Sequence, residues 1–181
     1  MIGFQSLPDL WLLSDERNDA QLEAALDLLP SGSGFIFRHY HLDPAERRKR
    51  FDDLASSCRG SGHLFVLSGT SQDARDWGAE GAYGPARRLG RVEGIARFAT
   101  VHDLLEMSRA ERYGIDAMFL SPVFPTRSHR DGRHLGKEQF RFMASKAKAP
   151  VIALGGMTFE RAEELGWPRW GAIDGLSQIG P

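Results

Sequence analysis

Short β-rich runs recur along the chain, each closed by polar or glycine-rich residues and most followed by a helical pattern. Eight stand out: Leu10 to Leu13, Gly34 to Arg38, Leu64 to Leu67, Gly81 to Tyr83, Ile95 to Thr100, Ala117 to Leu120, Val151 to Ala153 and Ala172 to Ile173. Helical patterns lie between them, among them Ala20 to Leu29, Pro44 to Ser57 and Leu135 to Lys148, and Asp43 before Pro44 reads as an N-cap followed by a first helical residue. Strand and helix therefore alternate. Alternation predicts a parallel sheet with helical crossovers, and eight repeats favour closure into a TIM-type (β/α)8 barrel, with an open doubly wound sheet as the alternative. The barrel is expected to be compact, because Gly84 to Gly94 leaves no room for a full helix between the fourth and fifth strands. With Pro181 following directly on the eighth strand, the last outer helix is expected to be missing. The flank it would cover then needs the N-terminal residues or a second copy of the chain, so a homodimer near Trp167, Trp170 and Ile179 is one expectation.

Composition narrows the class without naming a chemistry. The 181 residues, 41% hydrophobic and 26% charged, suit one soluble domain over residues 1–181 and exclude a disordered or collagen-like chain. A formal charge of -1 gives no long-range attraction to nucleic acid or anionic lipid. The basic run Arg47-Arg48-Lys49-Arg50 lies among Glu46, Asp52 and Asp53 and reads as a solvated helix face, so no nucleic-acid partner is expected. No window suits a membrane span and no leader is read at Met1 to Leu10, so a cytoplasmic protein is expected. Cys58, the single cysteine, excludes an internal disulfide and reads as a spectator thiol.

A barrel carries its chemistry at the C-terminal ends of the strands, and phosphate groups are commonly held by the loops after strands seven and eight. After strand seven comes Leu154-Gly155-Gly156-Met157, where paired glycines let backbone N–H groups approach an anion. After strand eight comes Gly175-Leu176-Ser177-Gln178, whose Ser177 hydroxyl can close the same cradle. A long loop after strand six, Ser121 to Gly136, holds Thr126, Arg127, Ser128 and His129, and reads either as a lid over a second anionic group or as a solvated loop. Acid–base candidates are His102 at the end of strand five, His39 on strand two beside His41, and His129. For His39 and His41 an interior or rim role is the alternative, and His63 at the opposite rim reads as structural.

Ser121-Pro122-Val123-Phe124-Pro125-Thr126 resembles the G-P-V-F-P-T segment of thiamine phosphate synthases, and Val151 to Met157 is similar to their P-V-V-A-I-G-G-I segment. Weaker similarities fall in order. Trp11 to Asp15 resembles the family's first strand, Arg38 the arginine of its Q-L-R-x-K strand, Gly78 to Gly81 its G-A-D-G, Thr100 to Asp103 its S-V-H-S, and Leu176 to Ile179 its V-S-A-I. The resemblance, which extends to the TenI-type thiazole tautomerases, implies a barrel binding a small phosphorylated molecule of the thiazole phosphate or thiamine phosphate class. It implies that Gly155, Gly156 and Ser177 grip the thiazole phosphate, and that Thr126 and Ser128, with Arg38 and Arg127 nearby, face a pyrophosphate-like group.

The departures are as informative. Synthases hold Mg²⁺ with carboxylates because the leaving pyrophosphate needs its charge neutralised, one of them in an N-D-R segment that here reads Ser68-Gly69-Thr70. No carboxylate follows Gly81-Ala82-Tyr83 either, Ile36 and Tyr40 replace a glutamine and a lysine, and His129 replaces the lysine of loop six. No metal and no cofactor are expected. Gly69 leans toward the tautomerases, yet Pro122 stands where they place a histidine proton carrier. Three functions follow: a thiamine-pathway enzyme, either a divergent synthase-like transferase or a tautomerase-like isomerase, expected to lack Mg²⁺-dependent synthase activity; a non-catalytic phosphate-ligand binding or salvage protein; and a barrel repurposed for protein contacts.

Overall fold

The computed structural model of the chain describes residues 7–127 and 132–176. Eight parallel strands close into a barrel in chain order: β1 Leu10–Leu13, β2 Gly34–Phe37, β3 Leu64–Ser68, β4 Gly81–Pro85, β5 Ala96–Val101, β6 Ala117–Leu120, β7 Val151–Ala153 and β8 Trp170–Ala172. Closure is made by β8 on β1, with Leu10 opposite Trp170 and Leu12 opposite Ala172. The fold is therefore the (β/α)8 barrel that the alternating pattern predicts.

Period-two alternation sorts the strand residues into two apolar layers. Trp11, Leu13, Ile36, Val66, Phe98 and Phe119 fill the barrel interior, while Leu12, Phe35, Phe37, Phe65 and Leu67 face the helices. So small a barrel takes an indole at its centre only because its neighbours give way: a Cβ on Gly34 would lie 2.2 Å from the Trp11 ring. Trp11 in turn meets Phe98 and Phe119 edge to face at 5.0 and 5.2 Å, and its Nε1 donates to Pro8 O at 2.8 Å. The interior is thus a packed plug, with room for a ligand only above it.

Seven α-helices form the described part of the outer ring: α1 Leu22–Leu28, α2 Pro44–Gly60, α3 Ser71–Trp77, α4 Ala86–Leu89, α5 Leu104–Arg112, α6 Gly136–Ala144 and α7 Phe159–Leu165. A 3₁₀ turn, Glu16–Gln21, precedes α1. Asp43 caps α2 as its sequence suggests, accepting from the Ala45 and Glu46 amides at 2.9 Å each. Between β4 and β5 the single turn of α4 is all that fits. No helix follows β8 among the described residues, and residues 177–181 lie outside them.

Two expectations need correction. β8 occupies Trp170–Ala172 rather than Ala172 to Ile173, because the Trp170 N–H bonds Asp9 O at 2.9 Å and its indole packs against Phe159 at 5.1 Å. Trp170 is buried, as a core reading of it expects, and Trp167 donates Nε1 to Val151 O at 2.9 Å; Ile179 lies outside the described residues. The basic run on α2 is only partly solvated. Arg47 folds back onto the barrel rim, bonding Arg38 O and Ser68 O at 2.9 and 2.8 Å, and Arg50 is held by Asp19 and Glu23. Among the described residues no helix is long and apolar enough to cross a membrane.

Candidate functional site

Parallel strands bring all eight C-terminal ends to one side, and there a cavity of about 880 Å³ opens above the packed interior. Its walls come from different strand ends: Arg38 after β2, Tyr83 on β4, Thr100 on β5, Ser121 after β6, Gly155 and Gly156 after β7, and Asp174 after β8.

The β7 end supplies the most specific geometry. Gly155 and Gly156 adopt φ of +94° and +64°, so the chain turns through two left-handed residues in succession. Each is also hemmed in: a Cβ on Gly155 would sit 2.7 Å from Pro122 Cα, and one on Gly156 2.4 Å from Pro125 O. The two carbonyls are tied back, Gly155 O accepting the Phe124 N–H at 3.0 Å and Gly156 O accepting Arg161 at 2.5 Å. Among the described residues neither glycine amide donates a hydrogen bond. The two adjacent amides, with no acceptor among the described residues, and the Arg161 guanidinium stand together at the cavity wall, a grouping of donors and positive charge of the kind that suits an anion.

Across the cavity lies a network of ions. Asp15 bonds Arg17 Nε at 2.8 Å and Arg38 at 2.5 Å, and Arg17 reaches Asp174 at 3.2 Å. Partial burial opposes ionisation of Asp15, but the Arg17 hydrogen bond, with the charges of Arg17 and Arg38, outweighs it and holds the carboxyl below its ordinary value. Arg38 also donates Nε to Ser14 O at 2.9 Å. Its positive charge is therefore partly spoken for before any ligand arrives.

The candidate histidines separate. His102 lines the cavity, and its Nδ1 lies 2.9 Å from Glu106 Oε2, which also accepts the His102 N–H at 2.8 Å. His39 does not join it. β2 ends at Phe37, and His39 follows at φ +39°, buried and stacked on the Phe37 ring at 4.5 Å, so it does not share a strand face with His41. Its Nδ1 meets Ser14 Oγ and its Nε2 meets Asp19 Oδ1, each at 2.8 Å. Serine, histidine and aspartate thus stand in line as in a nucleophilic triad, but Ser14 is fully buried and its Oγ already accepts the Arg38 N–H at 2.7 Å. This relay orients the loop that carries Arg38. Burial lowers the His39 pKa, overcoming the opposing pull of Asp19. His63 is structural: it is buried, and its Nε2 donates to Leu26 O at 2.8 Å. Thr126 and Arg127 reach the same cavity, whereas Ser128, His129 and Ser177 lie outside the described residues.

With that arrangement in view, relatives can be compared. A model of the thiamine monophosphate synthase family matches residues 10–169. The chain belongs to this family. Among its curated relatives, the thiamine-phosphate synthase of Pyrococcus horikoshii is 36% identical over 175 residues, which cover 91% of this chain and 83% of that protein. The match to the thiamine-phosphate synthase of Pyrococcus furiosus is local, 37% identical over 67 residues and covering 37% of this chain and 32% of that protein. A solved thiamine phosphate pyrophosphorylase from Pyrococcus furiosus superposes with a TM-score of 0.77 at 22% identity, covering 96% of this chain and 92% of its own, which establishes shared fold. Membership of the thiamine monophosphate synthase family supports a role in thiamine biosynthesis.

The Mg²⁺ that the family resemblance implies does not fit the residues after β3. Gly69 has no side chain, and Ser68 Oγ is 2.5 Å from Tyr40 Oη. Asp73 is committed to Thr70, taking its N–H at 2.9 Å and its Oγ1 at 2.7 Å as the capping box of α3. The Arg47 guanidinium, donating to Ser68 O, puts a cation where a second one would be repelled. Among the described residues no group of three or more His, Cys, Asp or Glu side chains converges as metal ligands do.

Sequence reasoning missed Arg17, Tyr83, Thr100, Arg161 and Asp174 as cavity residues. A signal existed for Tyr83 and Thr100, which end the β-rich runs Gly81 to Tyr83 and Ile95 to Thr100 in the sequence, on the side where a barrel carries its chemistry. None existed for Arg17 or Asp174, which reach the cavity through loop geometry.

Proposed function

We propose that this protein binds a ligand of the thiazole phosphate or thiamine phosphate class with its phosphate on the Gly155-Gly156 amides, and lacks Mg²⁺-dependent thiamine phosphate synthase activity. The observation that carries the reading is the pair of left-handed glycines at the cavity wall whose carbonyls are tied back while their amides have no acceptor among the described residues. Ser177, Thr126, Ser128 and Arg127 belong to the same reading as further phosphate or second-anion contacts, and Arg38 contributes from the partly neutralised network opposite.

A proton carrier is also available. Glu106 holds Nδ1 of His102, which selects the tautomer whose lone pair is on Nε2 and makes the ring suited to moving a proton at a bound ligand. That arrangement supports a tautomerase-like isomerase more than a synthase. Release of pyrophosphate builds charge that metal ions normally stabilise by several kcal/mol, and Ser68, Gly69 and Arg47 offer no replacement. A second reading, a binding or salvage protein without chemistry, draws support from Pro122, which packs against Gly155 and cannot carry a proton.

Calorimetric titration with thiazole phosphate and thiamine phosphate, with and without Mg²⁺, tests the ligand, and a turnover assay with both synthase substrates tests the chemistry. Binding independent of Mg²⁺ and absent turnover are expected. Mg²⁺-dependent turnover near the common enzyme range of about 1 per second would overturn the proposal.

A further inference from the structure

Tyr83 is the last large side chain of β4 before Pro85, and its ring belongs to the barrel interior, meeting Phe119 edge to face at 5.2 Å. Only 6% of the residue is exposed, and that part opens on the cavity. Its neighbours on the rim are paired: Ser68 Oγ with Tyr40, Arg38 with Asp15, and Arg47 with main-chain carbonyls. The phenol hydroxyl of Tyr83, by contrast, makes no hydrogen bond among the described residues. The nearest contact of the residue with Ser68 is through its own carbonyl, which accepts Ser68 Oγ at 3.4 Å.

A buried tyrosine normally finds a partner for its hydroxyl, since phenylalanine fills the same space without the desolvation cost. Here the residue lines the cavity, where a partner can arrive from outside. We propose that Tyr83 is a ligand-positioning and specificity-determining residue, donating a hydrogen bond to an acceptor on the part of the bound molecule remote from its phosphate. The proposal rests on the reading that a phosphorylated ligand occupies this cavity. Burial raises the phenol pKa, so the group stays protonated and remains a donor throughout the physiological range. A ligand with a ring nitrogen, carbonyl or carboxylate at the cavity floor satisfies it, whereas inorganic phosphate on the β7 glycines leaves it untouched.

Tyr83→Phe removes the hydroxyl and little else. Wild type and variant are compared by thermal melting and by titration with inorganic phosphate and with thiazole phosphate. The variant is expected to melt within about 2 °C of wild type, because no protein partner is lost. Its affinity for inorganic phosphate should be unchanged, while affinity for thiazole phosphate falls about 2- to 12-fold, the worth of one neutral hydrogen bond. Unchanged affinity for thiazole phosphate in a variant of a tightly binding wild type would overturn this proposal alone. So would an equal loss for both probes, or a fall in melting temperature beyond about 4 °C, which would make the hydroxyl structural. Wild-type protein that binds neither probe would overturn the reading of the cavity, and the role of Tyr83 with it.

Discussion

Gly156→Ala should destabilise the protein far more than Gly32→Ala, although both glycines have left-handed φ, +64° and +81° respectively. At Gly32 an added Cβ meets nothing within 4 Å, so only the conformational cost applies, about 1–2 kcal/mol. For a domain of this size that is a fall in Tm of roughly 2–8 °C. At Gly156 the same Cβ meets Pro125 O at 2.4 Å and Arg161 and the Phe124 Cβ at 3.0 Å. Arg161 can swing aside, but the Pro125 carbonyl moves only with its loop, which adds an overpacking cost of about 1–3 kcal/mol. The total of about 2–5 kcal/mol lowers Tm by roughly 4–20 °C and shifts the two amides of the cradle. Melting curves for both variants, with titration of inorganic phosphate, check the reasoning. Equal falls in Tm with unchanged phosphate affinity would refute the close approach of the β6 and β7 loops and the cradle together. A charged replacement such as Gly156→Asp carries the same steric burden, so electrostatic repulsion is read only from its difference from Gly156→Ala.

Three further outcomes are expected. Folding lowers the His39 pKa, so the unfolded chain binds the extra proton; stability is fully present above about pH 6.5 and erodes as pH falls below it, by up to about 1.4 kcal/mol per pH unit. Denaturant midpoints across that range should show the slope, and His39→Gln should flatten it; an unchanged slope would remove His39 as its source. Cys58 is buried and its thiol is pushed up to about 12, so it should resist maleimide in the native protein and react only on unfolding. Gly69→Asp places its Cβ 3.3 Å from the Asp73 carboxylate but leaves Arg47 in place, and should not create Mg²⁺-dependent synthase turnover; turnover from that single change would show that one carboxylate suffices.

Much of the site was legible because barrels place chemistry at strand ends. Gly155-Gly156 after the seventh strand, Thr126 and Arg127 after the sixth, Arg38 after the second and His102 after the fifth all reach one cavity, as strand position predicts. For His39 an interior or rim role was one of the readings, but the partners that hold it were not legible. A histidine one residue past a strand reads as a rim group, and only the turn to positive φ sends its ring between Ser14 and Asp19 instead of toward the ligand side. Tyr83 was visible in the sequence only as the place where a carboxylate was missing; its parity with the interior, and a hydroxyl with no partner among the described residues, are properties of the assembled barrel.

The order of strands, their parallel arrangement and the closed barrel followed from the sequence alone, since period and alternation are local properties of apolar and polar residues that neighbours in the chain decide. Family membership did as well, because the strand-six and strand-seven segments carry it as written residues. What tertiary structure decided was charge and access. Arg38 is an anion-binding candidate in sequence and a half-neutralised ion-pair partner in the fold, and Arg47, twenty-one residues before Ser68, brings its guanidinium onto the Ser68 carbonyl. Such outcomes depend on which groups from distant segments end within about 3 Å of one another, and hydrogen bonds and charge pairs of that length are set only when the loops have closed around the barrel.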